Sequence, residues 1–294
     1  MLVVNLIGGL GNQMFQYAAG RALALRHGVP LKLDISDFDR FPPRKYLLDN
    51  FRVDANIASA RVLGRFDKDP KRWRATARRL RARLGGREGA TGRTVVERGF
   101  PWQEIPFDPA VDTCLLGYWQ SERYFLPQSE LIRREFTHKA PPDARAQRLL
   151  DEIDRHPAVS LHVRRGDYVS NPVVQKRHGL CSPAYYTAAV ARILALEPGA
   201  RFYLFSDDLD WVRSNLPIPA PVEYVDLNGP DQPHEDLRLM SRCRHHIIAN
   251  SSLSWWGAWL NPRPGKVVIA PRQWFTPESK RDARDIVPPT WIRL

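Results

Sequence analysis

The chain has 294 residues, of which 43% are hydrophobic and 10% aromatic, and a formal net charge of +12 at pH 7. A chain of this length buries one large core or two ordinary ones, so we expect two domains. No stretch approaches the roughly 18 consecutive apolar residues that a membrane span requires, so no transmembrane segment is predicted.

The N-terminal residues have the pattern of a parallel α/β unit. Residues 2–7 are apolar like a buried strand, residues 8–13 are a glycine-rich turn, and residues 14–27 have helical periodicity with Gly28 as a stop. Leu31–Asp34 is then a second strand. This order predicts parallel pairing, because a crossover helix joins neighbouring parallel strands.

Residues from about 35 to 130 are rich in proline and aromatic side chains, and strands are predicted only near Thr94–Val96 and Cys114–Leu116. The segment 71–84 holds seven basic residues and no acidic one. Its apolar residues recur at helical spacing, which predicts a basic amphipathic helix. Such a helix either lies on an anionic membrane surface or packs its apolar stripe on its own domain.

The chain begins with an apolar strand pattern and shows no basic region or small-residue cleavage site of a secretion signal. We therefore expect a cytoplasmic protein, either free or peripheral at the inner membrane face through 71–84.

The second half predicts a parallel sheet flanked by helices. Helical patterns alternate with five apolar runs typical of strands: Val159–Val163, Phe202–Phe205, Val222–Val225, His246–Ala249 and Val267–Ala270. The clearest helix is Pro183–Leu196, with Ser182 as N-cap and proline at the first position. We place the domain boundary near Pro141 and Pro142, which gives domains 1–142 and 143–294.

Ligands of open α/β sheets bind at the carboxyl ends of the strands, and polar clusters follow three of the predicted strands. In the first, His162 to Tyr168, an imidazole, two guanidiniums and a carboxylate follow an apolar strand. The planar fork of arginine suits a diphosphate. We expect Arg164 to point into the cleft, while Arg165 either binds the ligand or braces Asp167.

The other two clusters are Asn250-Ser251-Ser252 and Ser206-Asp207-Asp208. Two hydroxyls and unpaired N–H groups at a helix start make either a phosphate cradle or an ordinary N-cap. After the Phe202–Phe205 strand, a carboxylate either accepts hydrogen bonds from a base or ribose or caps the next helix. In the helix after Ser252, the three tryptophans favour core packing over a sugar platform.

No metal site is predicted. The pairs in Asp37-Phe38-Asp39 and Asp208-Leu209-Asp210 have the DxD spacing, but supporting ligands are absent nearby. The three cysteines are far apart and have no histidine at zinc spacing, so neither a disulfide framework nor a structural zinc is expected.

Five segments follow one another along nearly the whole chain: GGLGNQMFQYAAGRALA at 8–24, LLGYWQSERYF at 115–125, LHVRRGDYV at 161–169, FSDD at 205–208, and EDLRLMSRCRHHIIANSSLSWWGAWLN at 235–261. Together they resemble the bacterial α-1,2-fucosyltransferases, glycosyltransferase family 11. The resemblance implies an α/β protein of GT-B type, with two Rossmann-like domains facing across a cleft. It also implies metal-independent, inverting transfer of L-fucose from GDP-β-L-fucose to the 2-hydroxyl of a galactose-type acceptor, for surface polysaccharide or oligosaccharide synthesis.

The resemblance assigns roles by position. Arg164 is implied to bind the β-phosphate and help fucose leave, with His162 beside it. The implied donor-binding set, from the C-terminal domain, is Arg164, Arg165, Asp207, Glu235, Asn250, Ser251 and Ser252. The implied fucose and acceptor side is Gly9, Asn12, Gln13 and Tyr168. The basic insert at about 64–93 does not match the family pattern.

An inverting transfer needs a base for the acceptor hydroxyl. Asp167 is our candidate, followed by His162 and Glu235, although Asp167 could instead orient an arginine. Two other classes of protein fit the charge of +12 and the segment 71–84. These are a nucleic-acid binder and a membrane-surface protein that binds sugar without catalysis.

Overall fold

We describe a computed structural model of the chain, which covers residues 1–40, 44–67, 91–229 and 231–294. The predicted basic helix over 71–84 lies outside the described residues, as does most of the insert 64–93. In the described part of the chain, every helix is too short or too polar to traverse a lipid bilayer.

The described residues form two parallel sheets, one in each half of the chain. The strands are β1 (Leu2–Asn5), β2 (Leu31–Asp34), β3 (Asn56–Ile57), β4 (Arg93–Val96), β5 (Thr113–Leu116), β6 (Ala158–Val163), β7 (Arg201–Ser206), β8 (Val222–Tyr224), β9 (His245–Ile247), β10 (Val268–Ala270) and β11 (Ile292–Arg293). The first sheet has the order β3-β2-β1-β5-β4 and the second β11-β10-β9-β6-β7-β8. The central strand β6 pairs with β7 and β9, with His162 opposite Phe205 and Leu161 opposite Ile247.

Helices cover both sheets. They are α1 (Leu10–Arg26), α2 (Ser36–Arg40), α3 (Ala60–Leu63), α4 (Ser129–Glu135), α5 (Ala144–Arg155), α6 (Gly166–Ser170), α7 (Pro172–His178), α8 (Pro183–Leu196), α9 (Leu209–Asn215), α10 (Pro233–Arg242) and α11 (Ser252–Leu260). The bounds of α8 agree with the prediction, and the Ser182 hydroxyl accepts its predicted capping bond from the Tyr185 N–H at 3.2 Å. The two predicted sheets are thus confirmed, while the domain boundary at 142 stays a prediction.

Helix α1 begins at Leu10, four residues before the predicted start at Met14. Gly9 is its N-cap, so the predicted turn over 8–13 shrinks to two residues. The earlier start has a packing reason, because the first turn of α1 lies against the first turn of α11. At Gly11, an added Cβ would lie 2.4 Å from the backbone carbon of Ser252, so only glycine fits there.

The tryptophans of α11 lie in the core of the opposite half. Trp255 and Trp256 are fully buried and join the apolar cluster that surrounds β1 and α1. Their rings lie 4.4 and 5.0 Å from the ring of Phe15, and the Trp256 indole N–H donates to the Gly11 carbonyl at 3.0 Å. The prediction of core packing for these tryptophans is confirmed. Helix α11 therefore joins the two halves directly below the cleft.

Candidate active site

A cleft of about 360 Å³ lies between the two sheets. It receives side chains and backbone from the carboxyl ends of β1, β6, β9 and β10. Eight of the residues predicted from the sequence line it: Gly9, Asn12, Arg164, Asp167, Tyr168, Asn250, Ser251 and Ser252. Residues from two of the three predicted polar clusters and from the glycine-rich turn therefore line one cleft.

Arg164 follows β6 and is fixed between two carboxylates. One terminal nitrogen lies 2.6 Å from Asp167 Oδ1 and the other 2.8 Å from Asp207 Oδ2. Burial lowers the pKa of the guanidinium, but Asp207 and Asp167 outweigh it and the pKa is raised. Two-sided, charge-assisted contacts of this kind fix a guanidinium plane in one orientation. Arg164 is thus held rigidly, with part of its side chain open to the cleft.

Asp207 holds Arg164 in place and does not line the cleft. Its second oxygen accepts the backbone N–H of Arg165 at 2.8 Å, so both carboxylate oxygens are occupied. Gly166 makes this approach possible, since an added Cβ would lie 2.5 Å from Asp207 Oδ2. The expectation that Asp207 faces a guanine or ribose is corrected, because its carboxylate turns towards β6.

Arg165 points away from Asp167 and from the cleft. Its Nε lies 2.9 Å from Asp208 Oδ2, and its guanidinium lies 3.7 Å from the centre of the Trp211 ring. Asp208 in turn caps α9 through the Trp211 N–H. Both expectations for Arg165 are therefore corrected, because successive residues after a strand point in opposite directions and Arg164 takes the cleft side.

His162 is buried inside the second sheet and does not reach the cleft. Burial, with the positive charge of Arg164, lowers the pKa of its imidazole well below the ordinary value, while Asp207 opposes the shift. The ring is neutral at physiological pH and lies behind Arg164. The expectation of a direct catalytic contact is corrected, because the side chain packs within the β6 layer.

Two helices begin at the cleft, one from each half of the chain. Neither start is closed by a capping side chain, because Gly9 precedes α1 and the Ser251 hydroxyl accepts no bond from the described first turn of α11. Unpaired N–H groups and the helix dipole make such starts favourable for anions. The Ser251 hydroxyl and the first turn of α11 therefore remain open to a phosphate.

Asn250 is hydrogen-bonded to several neighbouring segments through both its side chain and its backbone. Its amide nitrogen donates to the carbonyls of His178 at 2.9 Å and Trp274 at 3.3 Å, and its oxygen accepts from the Cys181 thiol. Its own carbonyl accepts the Tyr168 hydroxyl at 3.1 Å. These bonds use the Asn250 amide to hold neighbouring segments together. Asn250 lines the cleft, and its place in the donor-binding set stays a prediction.

Gln13 and Glu235 also have structural contacts instead of the predicted ligand contacts. The buried Gln13 amide donates to the Lys45 carbonyl at 2.8 Å and accepts from the Leu47 N–H at 2.9 Å, so it shapes the loop after residue 44. Both oxygens of Glu235 bind the Arg238 guanidinium one turn further along α10. Neither side chain lines the cleft, so both expectations are corrected.

Gly9, Asn12 and Tyr168 line the cleft, and their assignment to the fucose and acceptor side stays a prediction. The Asn12 oxygen accepts from the Gln120 amide at 2.8 Å, which orients it at the start of α1. Tyr168 stacks on the His178 ring at 4.9 Å. Burial raises the pKa of the Tyr168 hydroxyl, so the phenol stays protonated.

Several cleft residues were missed by sequence reasoning. Arg44 contacts Asp167 Oδ2 at 3.3 Å, and Lys45 contacts Asp231 at 2.7 Å, so two ion pairs cross between the halves. Further lining residues, from loops and from the end of α7, are Phe100, Tyr118, Gln120, Arg177, His178, Phe275 and Arg281. Gln120 stands in the motif LLGYWQSERYF at 115–125, which could have indicated it, whereas the loop arginines carry no local signal.

Residues 107–294 match the family described as glycosyl transferase family 11. An Escherichia coli alpha-1,2-colitosyltransferase is 32% identical over 308 aligned positions, which cover 100% of this chain and 99% of that protein. WbnK, an O-antigen biosynthesis glycosyltransferase of Escherichia coli, is 30% identical over 98% of this chain and 99% of its own length.

Among solved structures, that of the Bradyrhizobium NodZ alpha-1,6-fucosyltransferase co-crystallised with GDP is similar, with a TM-score of 0.52. The match covers 91% of this chain and 94% of NodZ at 18% identity, which is evidence for the fold alone. The expected GT-B architecture, with two α/β units across a cleft, is confirmed.

Proposed function

The chain belongs to glycosyl transferase family 11, and on that premise we propose that it transfers L-fucose from GDP-β-L-fucose, with inversion, to the 2-hydroxyl of a galactose-type acceptor. In this proposal residues 143–294 bind the donor, residues 1–142 contribute the acceptor side, and no metal ion is required. The product belongs to surface polysaccharide or oligosaccharide synthesis.

One observation carries the proposal. Arg164 is fixed by Asp167 and Asp207 at the end of β6, and the open start of α11 faces the same cleft with the Ser251 hydroxyl. A rigid guanidinium opposite a helix start provides donors on two sides of a diphosphate. This arrangement matches the charge that develops when a nucleoside diphosphate leaves a sugar.

Departure of the diphosphate is the first demand of the reaction. As the bond between fucose C1 and the β-phosphate oxygen breaks, its electron pair moves onto the phosphate. Arg164 and the N–H groups at the start of α11 stabilise this charge without reorganising, because they are already oriented. A preorganised donor of this kind contributes several kcal/mol, on the order of 3 kcal/mol.

Activation of the acceptor is the second demand. The acceptor 2-hydroxyl attacks C1 from the face opposite the phosphate, and its proton passes to a carboxylate. Asp167 is the proposed base, since it lines the cleft between Arg164 and Arg44. The same contacts could serve only to orient Arg164, and kinetics of Asp167→Asn against Asp207→Asn would distinguish these roles.

A second donor has specific support. The colitosyltransferase relative is 32% identical over the full chain, and colitose is L-fucose without its 3-hydroxyl. A site that donates or accepts a hydrogen bond at that hydroxyl would reject the deoxy sugar strongly, whereas an apolar site would not. The donor preference can therefore be measured directly by comparing the transfer rates from GDP-fucose and GDP-colitose.

The deciding experiment is incubation with each donor and a panel of β-galactosides in EDTA, with the product linkage determined by NMR. We expect fucose on the galactose 2-hydroxyl in α linkage. Fucose at another position would overturn the regiochemistry, and transfer of colitose alone would change the donor. Absence of all transfer, with GDP binding retained, would favour a sugar-binding protein.

A further inference from the structure

Arg177 and Arg281 both line the cleft. Arg177 lies in the last turn of α7, and Arg281 follows β10. Neither forms an ion pair with any carboxylate in the described residues, in contrast to Arg164. The Arg281 guanidinium instead lies over the rings of Phe100 at 5.4 Å and Phe275 at 5.5 Å.

The two arginines are held together by the backbone. The Thr276 N–H donates to the Arg177 carbonyl at 3.1 Å, and the Thr276 hydroxyl donates to the Lys176 carbonyl at 2.6 Å. These bonds fix the end of α7 against the loop that carries Arg281. Burial and the positive charge of Arg177 lower the pKa of Arg281. Like charges held together cost free energy, and an anion bound between them would remove that cost.

The pair is held by segments different from those that carry the proposed donor contacts. In the second sheet, β7 lies on one side of β6, whereas β9 and then β10 lie on its other side. The proposed diphosphate contacts, Arg164 and Ser251, follow β6 and β9 closely, whereas Arg281 lies in the segment after β10, to which the end of α7 is hydrogen-bonded. Phe100, which Arg281 covers, also stacks with Tyr118 of the N-terminal half. The pair therefore adjoins the side of the cleft proposed for the acceptor.

On the basis of the proposed function, we propose that Arg177 and Arg281 bind an acidic group, a carboxylate or a phosphate, on the acceptor glycan. Fucose carries no charge, and the diphosphate already has partners at β6 and β9. An anion bound by the pair would thus belong to the acceptor. Two neighbouring guanidiniums suit an acidic sugar, because their planar forks form charge-assisted hydrogen bonds with a carboxylate or a phosphate.

The test uses three acceptors that share one β-galactosyl-glucose skeleton: the neutral disaccharide, its glucuronic acid form, and its 1-phosphate. Wild-type kcat/KM should be on the order of tenfold higher for at least one acidic form, as expected for charge-assisted contacts. Arg177→Ala and Arg281→Ala should each reduce this preference, and the double variant should abolish it. Arg284→Ala is the matched control, because Arg284 is exposed and paired with Asp282.

A second readout separates this proposal from the donor assignment. Calorimetric titration of the same disaccharides into the protein saturated with GDP measures acceptor affinity without turnover. This measurement is therefore valid even if GDP-fucose is not the donor. Equal affinity of the wild type for neutral and acidic forms would overturn the proposal. So would a double variant that loses GDP binding, since the pair would then belong to the donor diphosphate.

Discussion

Arg164 and the pair Arg177 and Arg281 line the same cleft in opposite electrostatic surroundings. Arg164 has a carboxylate on each side, at 2.6 and 2.8 Å. Arg281 lies over two aromatic rings, and neither Arg177 nor Arg281 forms an ion pair in the described residues. A guanidinium between two carboxylates is held in one orientation, so it contributes hydrogen-bond donors at fixed positions. Two arginines without ion pairs keep their positive charge, so they attract an anion electrostatically. The predictions below test that difference, from the largest expected effect to the smallest.

Arg164→Lys should cause the largest loss. A lysine ammonium cannot contact Asp167 and Asp207 in the same plane while also meeting the diphosphate. We expect kcat to fall by about 10²–10³-fold, the usual effect of removing one preorganised donor. Steady-state kinetics with thermal melting would check this, and Arg284→Lys is the matched control. Wild-type turnover of Arg164→Lys would remove Arg164 from the mechanism.

Asp207→Asn should have a smaller effect through the orientation of Arg164. The asparagine oxygen can still accept the Arg165 N–H, but the charge that fixes the guanidinium is gone. We expect kcat to fall on the order of tenfold, because small misplacement of a catalytic donor is costly. An unchanged kcat would show that Asp167 alone positions Arg164.

Salt should distinguish the two groups of arginines. Contacts of exposed charges are screened as ionic strength rises. KM for an acidic acceptor should therefore increase a few-fold between about 0.05 and 0.5 M salt, with kcat nearly constant. KM for the neutral disaccharide should change less. Equal salt dependence for both acceptors would contradict a charge-driven role for the pair.

The smallest effect concerns His178, which lies between the two groups and stacks on Tyr168. Burial and the charges of Arg177 and Arg281 lower its pKa from 6.5 to about 4. As pH falls from 6.5 towards 4, this histidine binds a proton in the unfolded chain but not in the folded chain. The free energy of unfolding therefore decreases over this pH range.

His178→Gln should flatten the decrease in stability between pH 6.5 and 4. We expect a difference of about 1 kcal/mol, reduced from the full linkage value because part of the ring is exposed to solvent. Chemical denaturation at several pH values measures it. A variant with the same slope as the wild type would show that His178 titrates normally.

Periodicity predicted most of the strands and α8, because apolar runs and the Ser182 cap are local signals, but it did not predict the two-residue strands β3 and β11. The same signals placed Arg164 and Asp167 in the cleft, since residues that follow a central strand face its carboxyl edge. The sequence did not predict that Asp207 turns back onto Arg164, because that contact depends on the small size of Gly166. The sequence also did not reveal that the Asn250 amide donates hydrogen bonds to the carbonyls of His178 and Trp274.

The arginine pair shows the same limit. Arg177 and Arg281 are 104 positions apart, and tertiary contacts such as the Thr276 bonds and the His178–Phe275 ring contact bring their segments together. Neither belongs to a motif, so no pattern could have connected them. The basic segment 71–84 is the reverse case. Its sequence signal is strong, it lies outside the described residues, and its membrane or surface role stays a prediction.

The most direct test of the central claim is the affinity of GDP for the wild type, Arg164→Lys and Arg284→Lys, measured by calorimetry in EDTA with guanosine as a second ligand. We predict that GDP binds the wild type and Arg284→Lys equally, that Arg164→Lys weakens it at least tenfold, and that guanosine affinity does not depend on Arg164. Equal GDP affinity in all three proteins would contradict the assignment of the β6 end as the diphosphate site.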